Sequence, residues 1–245
     1  MSGYDGDVAT YDPNGKVHQI SYAQEAPKLG APVVGISNEN CAIILSVRRS
    51  PSKLADYQAK TFRISQNIGC GASGIYADAR KMLAHLRSEC VEYEYESNES
   101  HPLKSLVIKL SNEAQQRTQY GGYRPFGASL LIVGEENDKP ALFVTDPNAE
   151  YYKFKAHCLG KNSQAANAFL SQYANEITGK TCKELCFMAL RALKQAGIME
   201  FESAAVEVGV FQAGQYRNLT SGEIEEMVKE YQQRFPVVND DEEDS

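Results

Sequence analysis

The stretch Val33-Val34-Gly35-Ile36-Ser37-Asn38-Glu39-Asn40-Cys41-Ala42-Ile43-Ile44-Leu45-Ser46-Val47 carries the first decision about the fold. Two short β-type runs, Val33 to Ser37 and Cys41 to Val47, flank the turn signal Asn38-Glu39-Asn40 and read as an N-terminal hairpin. Outward from it, strands are expected at Thr61 to Ile64 and Ile68 to Ser73. Ala79, Met82, Leu83, Leu86 and Cys90 then fall at the spacing of one buried helix face, and Leu103, Leu106, Val107, Leu110 and Ala114 repeat it. After Gly121-Gly122, runs at Ala128 to Val133, Ala141 to Thr145, Tyr151 to Phe154 and His157 to Leu159 are neighbours short enough to pair antiparallel. Helices return with Ala166, Phe169, Leu170, Tyr173 and Ile177, then with Leu185, Met188, Ala189 and Leu193. Ala205 to Phe211 reads as a strand, and Ile224, Met227, Val228, Tyr231 and Phe235 as a last helix opened by the capping box of Thr220 and Glu223. Strands and helices come in blocks rather than strict alternation. That order predicts an α+β fold, antiparallel sheets covered by paired helices, over a doubly wound parallel sheet.

Composition narrows the function. With 245 residues and 42% hydrophobic content the chain can bury a large core. Its apolar runs fall far short of the ~20 residues of a membrane span, and its polar, Gly-rich start lacks a secretory pattern. A cytoplasmic or nuclear protein with no membrane partner is expected. The net charge is −7, but Asp240, Asp241, Glu242, Glu243 and Asp244 supply five of those negative charges, leaving about −2 on the body. Basic residues are dispersed, with Arg48-Arg49 the one adjacent pair of arginines, so nucleic acid is not an expected partner. Three zones follow: a polar head over 1–16, a packed body over 17–235, and an acidic tail over 236–245 read as a solubilising segment.

Two chemical motifs are tempting. Gly69-Cys70-Gly71-Ala72-Ser73-Gly74 matches G-x-G-x-x-G before a helix, but that helix runs into the polar stretch Glu92 to Ser97 instead of a second buried strand with a ribose-binding acid. The glycines are therefore assigned to close strand-to-helix packing, and no cofactor is expected. Cys182 and Cys186 lie one helical turn apart, yet no second pair or nearby His completes a zinc set, and His18, His85, His101 and His157 show no ligand spacing.

Several separated pieces resemble one family. Tyr4-Asp5, Asp12 to Lys16, Gln19 to Ala23, Ala26 and Gly30 look like the N-terminal signature of proteasome alpha-type subunits. Ser73-Gly74 with Ala77 to Arg80, the run Tyr120 to Gly127, and Asp146-Pro147 continue the likeness in order, across roughly 4–235. Tyr4-Asp5-Gly6-Asp7, Val47-Arg48-Arg49 and Gly160 to Gln164 look most like the alpha-six position of the eukaryotic ring.

The resemblance implies a four-layer αββα sandwich of the N-terminal-nucleophile hydrolase type. It also implies a non-catalytic subunit of the 20S core that helps form the alpha ring, gates substrate admission and docks activators during protein degradation. Its partners would be other alpha-type and beta-type subunits, activators that insert C-terminal tails, and unfolded polypeptides. In active relatives the nucleophile is an N-terminal threonine aided by an Asp and a Lys. Those positions fall here on Ala31, near Val47, and on Lys60. A methyl group cannot attack a carbonyl, which disfavours the alternative of an active amidohydrolase. Ser2 would be exposed by removal of Met1, but it lies far from the first strand and reads as an ordinary processed terminus. The same resemblance places the gate on Tyr4, Asp5, Pro13 and Tyr22, and the activator-tail pocket on Gly30, Lys60 and Ile75. Lys60 follows an apparent loop, Ser50 to Ala59, and its ammonium is expected at a rim. Four departures stand out: Gly6 where Arg is frequent, Ser21 where Glu is usual, Pro27 where the first helix should continue, and Ala149 where Gly is usual. Pro27 should kink or tighten the helix end. Ala149 is expected to matter little.

Overall fold

The computed structural model describes residues 6–50, 52 and 54–236. In chain order the regular elements are α1 (His18–Leu29), β1 (Val33–Ser37), β2 (Cys41–Val47), β3 (Thr61–Arg63), β4 (Gly69–Gly74), α2 (Tyr76–Ser97) and α3 (Leu103–Gln119). They continue with β5 (Ala128–Glu136), β6 (Lys139–Thr145), β7 (Tyr151–Phe154), β8 (Ala156–Leu159), α4 (Ser163–Gln172), α5 (Cys182–Gln195), β9 (Val206–Gln212), β10 (Gln215–Asn218) and α6 (Ser221–Arg234).

The expected hairpin forms. Gly35 lies opposite Ile44, and Asn38 shapes the turn by accepting the N–H groups of Asn40 and Cys41 on its Oδ1. β1 and β2 are central in a five-stranded antiparallel sheet of order β10-β9-β2-β1-β8, and β3 to β7 form a second antiparallel sheet in chain order.

Alternate side chains then build three apolar layers. Val34, Ile36, Ile43 and Leu45 face outward into a cluster with Leu185, Ala189 and Val228, so α4, α5 and α6 cover the first sheet. Cys70, Ala72, Leu130 and Ile132 face Met82, Leu86, Leu106 and Leu110 of α2 and α3 on the far side of the second. Val33, Ala42, Ile44, Leu131, Val133, Leu142, Phe211 and Tyr216 fill the space between the sheets. Both faces of the inner strands are covered, which is why they read as continuous apolar runs without polar alternation. The result is the four-layer αββα sandwich.

Several expectations need correction. β8 does not continue the sheet of β5, β6 and β7: the chain crosses at Lys155, whose carbonyl accepts the Ser37 N–H at 2.7 Å, and β8 pairs with β1. β10 has no counterpart among the expected strands, because its polar sequence Gln215-Tyr216-Arg217-Asn218 buries only the tyrosine. α4 ends at Gln172, and Ile177 follows a separate 3₁₀ turn at Ala174–Glu176. The glycines of β4 serve the approach of sheet to sheet rather than of strand to helix. A methyl group on Gly69 would sit 1.9 Å from Tyr216 Cε2, and one on Gly71 would sit 2.7 Å from Ile44 Cγ2. α1 runs on through Pro27 to Leu29, and its end tightens as the proline requires, with the Gly30 N–H bonding Pro27 O at 3.2 Å.

Ala149 is not neutral either. It holds φ at +70°, closing the turn by donating its N–H to Asp146 O at 2.9 Å. A Cβ strains that region, whereas glycine enters it freely. Ala149→Gly should therefore raise stability by roughly 0.5–1 kcal/mol, the strain relieved being partly offset by a more flexible unfolded chain. Urea unfolding of the two proteins would show the midpoint shift.

Candidate functional site

Of the four gate positions, Tyr4 and Asp5 lie outside the described residues. Pro13 and Tyr22 are both exposed and are tied together through Asp12. The Asp12 carbonyl accepts the Gly15 N–H, and its carboxylate accepts the N–H groups of Asn14 and Lys16 at 2.9 and 2.8 Å. Its second oxygen lies 3.1 Å from His18 Nε2 on α1, so the Pro-Gly turn is fastened to the helix that carries Tyr22. The bonds from the backbone, Lys16 first, hold the Asp12 carboxyl below the usual carboxylate range against the opposing effect of burial.

The three pocket positions gather at the end of β4. A Cβ on Gly30 would fall 2.3 Å from Ser73 Oγ and 2.7 Å from Gly74 N, so only glycine lets α1 cross here. Ser73 Oγ fastens the crossing by donating to Pro27 O at 2.9 Å and Ala31 O at 3.3 Å. Ile75, two residues on, is 43% exposed. Its N–H bonds Gly127 O at 2.8 Å. Lys60 lies alongside, its carbonyl accepting the Ala72 N–H at 3.1 Å.

Lys60 is not on an open rim, however: only 9% of the residue is exposed. Burial pushes its pKa down, and the charge of Glu207 acts against that. Glu207 is a residue that motif reading passes over. Its carboxylate reaches from β9 across the gap between sheets, accepting the N–H groups of Lys60 at 2.7 Å and Thr61 at 3.0 Å, with Arg48 Nη1 3.4 Å away. A signal is present all the same: in Val206 to Phe211, position 207 shares its face with Gly209 and Phe211, so period two puts a carboxylate inside.

The run Tyr120 to Gly127 is anchored by Asp78 in the first turn of α2. Arg124 grips Asp78 with two bonds, at 2.5 and 2.8 Å, and the Gly127 N–H adds a third at 2.8 Å. Burial raises the Asp78 pKa and these donors outweigh it, leaving the carboxyl below its ordinary range.

A family model of the N-terminal signature of A-type proteasome subunits matches residues 4–26, and a second, of proteasome subunits in general, matches residues 27–211. The chain belongs to the proteasome alpha-type family. The alpha type-1 proteasome subunit of Trypanosoma brucei rhodesiense is 33% identical over 248 residues, covering 98% of this chain and 93% of that protein. Its alpha type-1 counterpart in Dictyostelium discoideum is 34% identical over 192 residues, covering 78% and 77%. The proteasome alpha protein of Thermococcus sibiricus is 35% identical over 235 residues, covering 94% and 88%. Membership makes the chain a component of the alpha ring of the 20S core, assembled with other proteasome subunits. Ala31 is an internal residue of this chain, its carbonyl bonded to Ser73 and its neighbour Gly30 accepting the Lys161 N–H at 2.9 Å. Among the described residues no helix is long and apolar enough to cross a membrane.

Asp78→Asn should cost about 1–3 kcal/mol, toward the lower end because the Arg124 side chain is 61% exposed. The depressed pKa fixes the sign with pH. Stabilisation by Asp78 is complete above the unfolded carboxyl pKa of about 4 and is lost as pH falls through the lower folded value. Acid titration of stability should thus be shallower in Asp78→Asn than in the wild type.

Proposed function

We propose that the chain is a non-catalytic alpha-ring component whose head helps gate the pore and whose β4 end receives the C-terminal tail of an activator. The observation that carries the first part is Ala31: where the active relatives' threonine would stand there is a methyl group, on a residue enclosed by chain on both sides. The alpha-six position is the ring place favoured by Tyr4 to Asp7, Val47 to Arg49 and Gly160 to Gln164. In this reading 1–16 is the gate head, 17–235 the main body and 236–245 an acidic tail; the particle works in cytoplasm and nucleus, admitting unfolded polypeptides in ubiquitin-dependent and other degradation.

The buried charge supports the docking role. Lys60 is a mostly buried residue whose burial disfavours its charge, and among the described residues no carboxylate comes within ion-pair distance of its ammonium. An arriving terminal carboxylate would neutralise that charge, Gly30 leaves room for its backbone, and exposed Ile75 offers an apolar contact. Exposed apolar residues also collect at this end, with Tyr22, Leu29, Tyr120 and Tyr123 all more than half exposed, as a face awaiting neighbouring subunits would show.

Two measurements test the reading. Deleting Ser2 to Thr10 should raise basal peptide hydrolysis by the assembled particle, partially if other tails compensate; normal assembly with an unchanged rate would remove the gate assignment. Lys60→Ala should weaken binding of an activator-tail peptide at this pocket by roughly 1.5–3 kcal/mol while leaving unstimulated hydrolysis nearly unchanged. Lys60→Arg keeps the charge but changes its reach, and should fall between the two. Equal affinity in all three particles would assign Lys60 a purely structural duty.

A further inference from the structure

At the end of the sandwich where the β1–β2 turn meets α5, three hydrogen bonds staple the turn to the segment leading into the helix. Asn38 Nδ2 donates to Ile177 O at 3.1 Å and to Lys180 O at 2.8 Å, and the Gly179 N–H donates to Glu39 Oε1 at 2.8 Å. A cysteine lies just beyond each side of the staple. Cys41 opens β2 and Cys182 opens α5, and Cys182 packs against the apolar cluster that holds Cys41. Both line a cavity of about 540 Å³, together with Glu39, Thr181, Gln212 and Gly214. Cys41 is wholly buried, whereas Cys182 is half-buried.

The surroundings give the two thiols unlike chemistry. Contact with Cys182 and burial hold the Cys41 proton on. Cys182 is pushed the other way by the Cys41 thiol, by its own backbone N–H at the helix start and by Arg217, against burial. A helix N-terminus and a nearby guanidinium favour thiolate, the nucleophilic form. Cys186, one turn further along α5, is fully buried, and that burial raises its thiol to about 12. The remaining cysteines at 70, 90 and 158 are buried in the apolar layers.

We propose that Cys182 is a redox-modification site and Cys41 its resolving partner, closing a disulfide between α5 and β2 when a small neutral hydroperoxide enters the cavity. The Cys182 thiolate attacks the peroxide oxygen and breaks the O–O bond, giving Cys182 sulfenic acid and releasing hydroxide, or alkoxide from an organic peroxide. Cys41 then attacks the Cys182 sulfur, the S–O bond breaks, and the Cys41 proton leaves with the departing hydroxide as water. Two thiols are oxidised by two electrons and one peroxide is reduced. Glu39, Glu135 and Asp138 on the cavity wall disfavour anionic oxidants such as a glutathione disulfide. The staple holds the β1–β2 turn against the approach to α5, so the starts of β2 and α5 stay side by side on the cavity wall.

The test uses assembled particles containing the full chain, exposed to hydrogen peroxide, blocked with N-ethylmaleimide and digested without reductant. The expected product is a linked peptide pair joining Cys41 to Cys182, two hydrogen masses lighter than the separate thiols and abolished by dithiothreitol. In untreated particles Cys182 should be alkylated faster than the other five cysteines. Cys41→Ser should leave Cys182 as a dimedone-trapped sulfenic acid with no linked pair. Cys41→Ala serves if the serine variant does not assemble. Modification of Cys182 without a link in the wild type, a link from Cys182 to Cys186 instead, or alkylation of Cys182 no faster than of Cys70 would each overturn the proposal.

Discussion

Strand β4 has to be thin. It faces the opposite sheet with Gly69, Gly71 and Ser73, and side chains of the other sheet occupy the volume that methyl groups on the two glycines would fill: the Tyr216 ring over Gly69, Ile44 and Val33 over Gly71. Because β4 approaches so closely, Tyr216 is enclosed between Gly69 and Gly209 within the inner layer. The same strand places the proposed pocket positions. Its last residues meet Gly30 under α1, its neighbour β3 brings Lys60 opposite Ala72, and Ile75 turns directly into α2, where Asp78 anchors the loop to Gly127. Packing and site are thus one constraint: a side chain larger than glycine at 69 or 71 would separate the sheets and displace Lys60 from Glu207.

The Lys60 and Glu207 arrangement is unusual energetically. A buried lysine costs several kcal/mol unless compensated, and here Glu207 spends its hydrogen-bonding capacity on two backbone N–H groups and a guanidinium instead of the ammonium. A chain selected for stability alone would do better with an apolar residue at 60. A cation held part-compensated inside a rigid sheet end is pre-organised for an anion, since little reorganisation remains when one arrives. The lowered pKa of Lys60 and the proposed docking of a carboxylate share that single cause.

Elements with strong periodicity are legible in the sequence. The hairpin at Val33 to Val47, the faces of α2, α3 and α6, and the Thr220–Glu223 cap all form where local chemistry puts them. A second cap of the same form, Thr181 with Glu184, carries an equally local signal and yet is absent from the sequence reading. What the sequence hides depends on distant partners. The sheet chosen by β8 is set by the β1 edge, about 120 residues earlier in the chain, and a four-residue run carries no record of it. Lys60 looks like a loop-end surface lysine because its burial is produced by β9. Ala149 looks like a mild substitution because a positive φ is a property of the turn and not of the residue. The site is legible through the family motifs more than through chemistry: composition alone does not separate Gly30 from the other glycines, whereas the close contact with Ser73 and Gly74 does.

The two ends of the sandwich are built on opposite principles, and that asymmetry bears on assembly. At one end Asn38 and Glu39 satisfy the backbone of the α5 approach internally, tying an inner sheet to an outer helix with hydrogen bonds made within the chain. At the other, α1 buries only Pro27 fully and leaves Leu29 81% exposed. A helix of twelve residues with so little burial gains little from packing on its own chain, and its intrinsic stability in water is marginal at that length. Among the described residues its anchors include the Asp12 turn at its start, Ser73 and Gly30 at its end, and the contact with Gly127 near Ala26. Those anchors fix where the helix lies without covering its outer face. The fold therefore positions α1 with Leu29 and about half of Tyr22 exposed, and association with ring neighbours is the step that can supply further burial.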